Sequence, residues 1–382
     1  MVRDRTAKLP RVLGAVGDPS SDCVLVAIGG LHGNEPSGVL GVQRVLARLS
    51  ADATGLVGRF VGLAGNRAAL ASDERFVERD LNRMWIEADL ERIRGELGEL
   101  FDEEAELKEL DHELRGILHA APGACILDLH STSGGGAPFV ILDDTLANRR
   151  VAFPIPATHV LGLEEEIGGT MIGYLNSRGV TAVCFEAGKH LDPGSVDRAE
   201  SAVWIALEAI GVLAPNSRPE VERSRRFLRQ VTAGLPDVVE LRDRHPVHVG
   251  DGFRMNPGFR NFDPIRRDQA IAEDRSGPIR PSETGMILMP LYQSQGEDGF
   301  FVVRPVRAAW LTVSSWLRRC RFDRVLHWLP GVTRHPEERG IFFVDQSRAR
   351  WLALEVFHLL GYARTRHKGD TLRMRKRDPR RA

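Results

Sequence analysis

Val24-Leu25-Val26-Ala27-Ile28-Gly29-Gly30-Leu31-His32-Gly33-Asn34-Glu35 is the stretch on which the fold turns. It begins as a continuous apolar run of strand length, the pattern of a strand buried on both faces of a sheet. It ends in glycines and an H-x-x-E pair. Glycine lets the backbone bend there and leaves room beside it. At a spacing of i, i+3, His32 and Glu35 face the same way if the segment is helical or turned. A surface histidine beside a helix-N-terminal glutamate has the same spelling, so the pair gains meaning only from the rest of the chain.

Working outward, residues 38–49 carry apolar side chains near helical spacing. Residues 60–64, 125–127, 139–142 and 180–185 are further strand candidates. Residues 86–120, dominated by Glu, Leu and Arg, read as one long helix or a helical hairpin, largely solvated. Residues 202–213 read as the last helix of this unit. Helices alternating with buried strands predict an α/β sheet covered on both faces.

The composition then changes. Residues 215–219 read as a linker, and residues 228–313, rich in Val, Gly, Pro and Phe, as a smaller β-rich domain. Residues 309–329 turn apolar and Trp-rich, and residues 348–360 read as another helix. The tail from 363 to 382 has nine Lys or Arg against two Asp and reads as a solvated, frayed terminus. The expected organisation is therefore a catalytic domain over 1–214, a β-rich domain over 228–313 and a helical extension with a basic tail over 314–382.

With 382 residues the chain exceeds one typical core. Hydrophobic residues make up 42% and charged residues 27%, ordinary for a globular protein. Lys+Arg and Asp+Glu are both 52, which argues against nucleic acid or an anionic membrane as the main partner. No apolar run approaches the roughly 20 residues of a bilayer span. No apolar signal region follows Met1-Val2-Arg3-Asp4-Arg5-Thr6. The four cysteines, Cys23, Cys125, Cys184 and Cys320, lack C-x-x-C spacing and read as reduced core residues of a cytoplasmic protein.

Four more segments bear chemistry. His130 ends the run Ile126-Leu127-Asp128-Leu129, at the carboxyl end of a buried strand, where α/β sheets place ligands. With His32 and Glu35 it completes a His₂Glu set, which leaves a tetrahedral zinc position open, as catalytic zinc requires. Glu186 follows the strand ending in Cys184-Phe185, a position from which a carboxylate takes a proton from water. In Asp80-Leu81-Asn82-Arg83, Asp80 is placed to orient a metal-bound imidazole. Asn82 and Arg83 are placed to hold a carboxylate, Arg83 through its planar fork. Arg67, after another strand, is placed to steady an oxyanion. Each of these residues alone has an ordinary structural alternative: a core histidine, a capping glutamate, a surface arginine.

Gly29-Gly30-Leu31-His32-Gly33-Asn34-Glu35, Arg79-Asp80-Leu81-Asn82-Arg83-Met84-Trp85, Asp128-Leu129-His130-Ser131 and Phe185-Glu186-Ala187-Gly188-Lys189 together resemble the succinylglutamate desuccinylase/aspartoacylase family. That family lies within the zinc carboxypeptidase-like enzymes, and the resemblance covers roughly residues 20–190. It implies a carboxypeptidase-like α/β/α domain with a mixed sheet, followed by a smaller β-rich domain that narrows the site. It implies His32, Glu35 and His130 as ligands of one Zn²⁺ per subunit, with Asp80 behind His32. It further implies Glu186 as general base and then acid, Arg67 as the oxyanion arginine, and Asn82 with Arg83 as the carboxylate clamp. The implied reaction is hydrolysis of a small N-acyl amino acid of the succinylglutamate or acetylaspartate kind.

Residues 168–189 resemble the desuccinylase branch more than the aspartoacylases, while Arg178 and Tyr292 align only loosely with aspartoacylase site residues. The segment after about residue 315 matches nothing in the family. Two other readings stand beside the deacylase: a zinc carboxypeptidase acting on peptides, and a non-catalytic metal-binding protein. The β-rich extension disfavours a long peptide, and the presence of Glu186, Arg67 and Arg83 disfavours the non-catalytic reading. The oligomeric state is left open, a homo-oligomer included.

Overall fold

The computed structural model describes residues 9–306, 308–320, 326, 328, 331–335, 338, 340–345, 357, 360–366 and 371–377. Its centre is the strand read first. Strand β2 (Val24–Gly29) is buried along its whole length. Val24, Val26 and Ile28 enter one apolar layer while Leu25 and Ala27 enter the other. This follows from the two-residue repeat of a strand, and it explains why the run has no polar alternation.

Strands β1 (Val12–Gly17), β3 (Arg59–Ala64), β4 (Cys125–Thr132), β6 (Phe139–Leu142), β7 (Thr158–Leu161), β8 (Thr181–Lys189) and β9 (Val238–Pro246) join β2 in one mixed sheet; β5 (Gly135–Gly136) lies apart from it. Strands β10 (Arg254–Met255), β11 (Arg260–Asn261), β12 (Pro264–Ile265), β13 (Ala272–Asp274), β14 (Gly277–Ile279), β15 (Gly285–Leu288) and β16 (Asp298–Pro305) follow. The large sheet has 11 strands in the order β1-β3-β2-β4-β8-β6-β7-β9-β16-β15-β12. Strands β3, β2, β4 and β8 are parallel, and β6 runs antiparallel to β8. The chain moves from β2 to β3 on one side and β4 lies on the other, so the carboxyl ends of β2 and β4 flank a topological switch point.

One face is covered by α1 (Ser37–Ala51), α8 (Pro193–Ala209) and α9 (Pro219–Val231). In α1, Val39, Val42, Val45, Leu46 and Leu49 are buried, at the three- and four-residue intervals that set side chains on one face. Short helices α2 (Arg67–Ser72), α5 (Leu146–Ala152) and α6 (Leu163–Glu166) follow strands or turns. The opposite face is covered by α3 (Glu87–Gly95), α4 (Asp102–Ala120) and α7 (Met171–Ser177).

Of the two forms expected over 86–120, the helical pair is present, but one side of each helix is buried rather than solvated. Leu90 and Ile93 of α3 and Leu107, Leu110 and Leu114 of α4 sit in the core. Each such side chain contributes about 1.5–3 kcal/mol on burial. The acids that suggested solvation are paired: Glu104 with Arg92, and Asp111 with Arg94.

The β-rich segment does not stand off from this sheet. β9 pairs in parallel with β7, and β16 pairs with β9, so the sheet runs on beyond residue 214. A three-stranded sheet (β10-β13-β14) packs on it through a second small core that includes Ile265, Ile271 and Phe300. β11 pairs with β5, and Asn261 donates to Thr132 Oγ1 at 3.2 Å, so this segment is stitched to the loop that leaves β4.

Past α10 (Ala308–Arg319), the described residues of the segment expected to be a helical extension include strands β17 (Val332–Arg334), β18 (Ile341–Asp345), β19 (Tyr362–Arg366) and β20 (Thr371–Lys376). They form a four-stranded antiparallel sheet over a core of Phe342, Val344, Phe357 and Tyr362. Ile341-Phe342-Phe343-Val344 is an apolar run of strand length, and Leu372 alternates with Met374 across Arg373. The helix read over 348–360 lies almost wholly outside the described residues. Of the cysteines, only Cys184 is buried; Cys23 and Cys125 are half-buried and Cys320 is exposed. Among the described residues no helix is long and apolar enough to cross a membrane.

Candidate active site

The site lies at the carboxyl ends of β2, β4 and β8. Gly29 of β2 aligns with Leu129 of β4, so the 30–35 turn starts beside His130. The turn is closed by a hydrogen bond from Glu35 N to His32 O at 3.2 Å. Gly33 is required there because a Cβ would lie 2.0 Å from the carbonyl of Ala69. Its N–H donates to Arg75 O at 3.2 Å, tying this turn to the next loop.

His32, Glu35 and His130 are all buried, with ligand atoms within 4.8 Å of one another. His32 Nδ1 lies 2.8 Å from Glu35 Oε1, and His130 Nδ1 lies 3.1 Å from Glu35 Oε2. The far nitrogens are engaged by carboxylates: His32 Nε2 with Asp80 Oδ1 at 3.1 Å, and His130 Nε2 with Asp128 Oδ2 at 2.9 Å. Two imidazoles turned toward one point by carboxylates behind them are what a divalent metal needs, because the partner fixes the ring and raises its basicity. The donor set therefore fits zinc, with two nitrogens and a carboxylate. Asp128, His130 and Cys184 also come close enough to share an ion. However, burial pushes the Cys184 thiol well above its ordinary range, and Asp128 already backs His130.

Burial opposes ionisation of Glu35, yet the His32 and His130 rings hold its carboxyl well below the usual range. Burial likewise works against charge on His130, but Asp128 and Glu35 push its pKa well above normal. Glu186 behaves in the opposite way. It pairs in register with His130 across β4 and β8, so the two side chains share a face. It is buried and its Oε2 has no hydrogen-bond partner. Burial, reinforced by the charges of Glu35 and Asp128 against that of His130, pushes it up to about 8. A cation among the triad would draw that proton off.

The 75–83 loop supplies the remaining polar wall. Asp80 accepts from Asn82 N at 2.9 Å and from Arg75 Nη2 at 3.0 Å. Asn82 Oδ1 accepts from Met171 N at 2.9 Å, which leaves its amide nitrogen for a ligand. Gly169 packs against the Arg83 carbonyl, where a Cβ would be 2.3 Å away. Glu103 holds the loop from behind, accepting from Asn66 Nδ2 at 3.1 Å, Val77 N at 2.6 Å and Glu78 N at 3.1 Å. The cavity is lined by His32, Glu35, His130, Glu186, Asn82 and Arg83, closed by Ile141, Ile172, Met289 and Phe301.

Arg67 is not among the lining residues. It begins α2 and turns to α4, donating from Nε to Glu106 at 3.1 Å and from Nη2 to Glu109 at 2.5 Å. Besides Arg83, the wall carries Arg75, 13% exposed, 3.6 Å from Glu35 and with an Nε that meets no acceptor among the described residues. Sequence reading passed over it because it sits in a run dense in charge, Asp73-Glu74-Arg75-Phe76-Val77-Glu78-Arg79.

Arg178 and Tyr292 also lie outside the lining. Arg178 pairs with Glu87 and stacks over Tyr174, and the Tyr292 hydroxyl donates to Asn256 O at 2.7 Å. Two wall residues went unread. His190 meets Ser131 Oγ at 2.8 Å and Gln293 Oε1 at 3.2 Å. Asp128 was legible in principle, being two residues before His130 on one strand face.

The mixed α/β sheet and a His-Glu-His group suited to a metal accompany a match to a hydrolase class of deacylase type. Residues 22–205 match the model of the succinylglutamate desuccinylase/aspartoacylase catalytic domain. Among solved structures, succinylglutamate desuccinylase from Vibrio parahaemolyticus is similar at 16% identity, over 76% of this chain and 84% of that one, with a TM-score of 0.53. The product-bound ectoine utilization protein EutE (DoeB) from Ruegeria pomeroyi is similar at 18% identity, over 76% and 87%, with a TM-score of 0.54. A succinylglutamate desuccinylase/aspartoacylase from Rhodobacter sphaeroides is similar at 18% identity, over 76% and 88%, with a TM-score of 0.52. At these identities the likeness is one of fold. A search of curated proteins finds no match.

Proposed function

We propose that this chain is a zinc-dependent amidohydrolase that removes the acyl group from small N-acyl amino acids. The observation that carries the reading is the meeting of the His32–Glu35–His130 donor set with the buried, unpartnered Oε2 of Glu186 in one cavity. His32, Glu35 and His130 would hold the zinc. Zinc supplies Lewis acidity when bound, polarising a carbonyl and making water more acidic.

The chain's own residues do the rest. Glu186 takes the proton from the attacking water as its oxygen bonds to the acyl carbon. Arg75, with a free Nε donor on the cavity wall, holds the oxyanion that develops. Glu186 then passes the proton to the amide nitrogen as the C–N bond breaks, leaving a carboxylate and an amine. Arg83 and the Asn82 amide nitrogen hold the substrate's α-carboxylate and so fix the scissile bond. Met289, Leu291 and Phe301, from the β-rich segment, narrow the cavity over the site and disfavour long peptides.

The test is a hydrolysis screen of N-acetyl, N-succinyl and N-formyl amino acids beside short peptides, with chelator and with zinc restored. Turnover of N-acyl amino acids that chelation removes and zinc returns is the expected result. Preference for peptides would convert the reading to a carboxypeptidase, and turnover of nothing would end it.

A further inference from the structure

The carboxylate clamp of this chain carries its own counter-acids. Arg83 donates from Nη2 to Asp298 Oδ2 at 3.3 Å, and its Nε lies 3.6 Å from Glu297 Oε2. Asp298 is held from the other side by Arg244 Nε at 2.6 Å, so it is pinned between two guanidiniums and fixes the Arg83 fork. Glu297 remains at the rim, with its side chain 66% exposed.

A further acid, Glu164 of α6, lines the same cavity. Its two carboxylate oxygens are sealed from solvent, and neither has a hydrogen-bond partner. Arg377 is the cation that acts on it, and Arg377 is itself paired with Asp143 and Glu165. A buried carboxyl without a donor is costly, so its environment calls for one.

The cations on the wall are few. Arg75 is engaged with Asp80 and Glu35 beside the metal donors. Arg178 lies outside the lining, turned to Glu87. Away from the metal donors, the described lining therefore sets one guanidinium, Arg83, against three carboxyls: Glu164, Glu297 and Asp298. Arg83 suffices for one carboxylate. A second carboxylate, on an aspartate or glutamate side chain or on a succinyl group, would find no further guanidinium there and would face Glu297 at the rim.

Resting on the deacylase reading above, the geometry points to a substrate whose amino-acid part carries one carboxylate and a cationic side chain. Arg83 takes the α-carboxylate. Glu164 takes the side-chain ammonium, which supplies the donors it lacks, and Glu297 adds negative charge at the rim. The chemical class is an N-acyl derivative of a basic amino acid, such as lysine or ornithine.

The experiment compares kcat/KM of the zinc-loaded enzyme for N-acetyl-lysine and N-acetyl-ornithine, neutral N-acetyl-methionine, and acidic N-acetyl-aspartate and N-succinyl-glutamate. A preference of at least about tenfold for basic over acidic substrates is expected, since like-charge contacts reject strongly. In Glu164→Gln the ratio of basic to neutral turnover should fall by about tenfold or more, and Glu297→Gln should lower it less, because its charge is solvated. Glu186→Gln provides a readout apart from turnover: by calorimetry it should bind N-acetyl-lysine more tightly than N-acetyl-aspartate. Acidic substrates turned over best, or an unchanged ratio in folded Glu164→Gln, would overturn this inference and leave the deacylase reading standing. Turnover of no N-acyl amino acid would overturn both.

Discussion

Arg75→Lys set beside Arg67→Ala tests which arginine serves the reaction. Arg75 lines the cavity and is 13% exposed, with Asp80 at 3.0 Å and Glu35 at 3.6 Å. Alanine there would break a buried ion pair, at about 3–5 kcal/mol, and confuse instability with chemistry. Lysine keeps the charge beside Asp80 and Glu35 but loses the fork, including the Nε donor that has no acceptor among the described residues. Losing one oxyanion donor costs about 10²–10³ in kcat, roughly 2.7–4 kcal/mol. The lysine variant should therefore lose about 10²-fold in kcat while keeping its zinc and most of its stability. Arg67 is 25% exposed and its partner Glu109 is 54% exposed. Such pairs are worth about 0–1 kcal/mol, and Glu106 keeps Arg11 as a second partner. Arg67→Ala should cost at most about 1 kcal/mol by urea denaturation, with turnover unchanged. The assay is kcat on the best N-acyl amino acid of the screen, with zinc measured by elemental analysis. If Arg67→Ala loses as much turnover as Arg75→Lys, the assignment from the cavity wall is wrong.

Glu186→Gln should lower kcat by about 10²–10⁴ while zinc content stays at wild-type level, and full activity would remove Glu186 as the proton carrier. His130→Ala should lose zinc on dialysis, because one of three protein donors is gone; unchanged content by elemental analysis would refute the ligand set. Acid stability should depend on Asp144, which is buried and, against the cost of burial, held well below the ordinary range by Arg318 and Arg149. A folded pKa below the unfolded one gives stability that is present above pH about 4 and lost as pH falls below it. Asp144→Asn should therefore flatten the fall of unfolding free energy below that pH, and an equal slope in both proteins would show that Asp144 contributes nothing.

The strand–turn segments were readable because their meaning is local. A continuous apolar run must be buried on both faces, so its end must lie at the sheet's edge, and polar residues there point into the crevice. The loops were not readable in this way. Arg67 and Arg75 stand eight positions apart (75 − 67) in one polar stretch, and residue type does not say which faces the cavity. That is settled by α4, whose Glu106 captures Arg67 and whose Glu103 holds the backbone at Val77 and Glu78. The two helices of 86–120 are less solvated than their composition implies for a related reason: Glu104 and Asp111 are turned inward as the partners of Arg92 and Arg94.

By itself the sequence determined the alternating α/β plan, the strand ends that carry His32, His130 and Glu186, and the likeness of residues 22–205 to a known catalytic domain. Periodicity and spacing suffice for those, because strand burial and turn chemistry act over a few residues. Only the tertiary structure decided which arginine reaches the cavity, that β9 and β16 extend the central sheet, and that Arg83 meets Asp298 from 215 residues away. Those outcomes depend on the direction of single side chains and on pairings between distant strands. Such contacts are set by packing across the whole core and leave no local pattern.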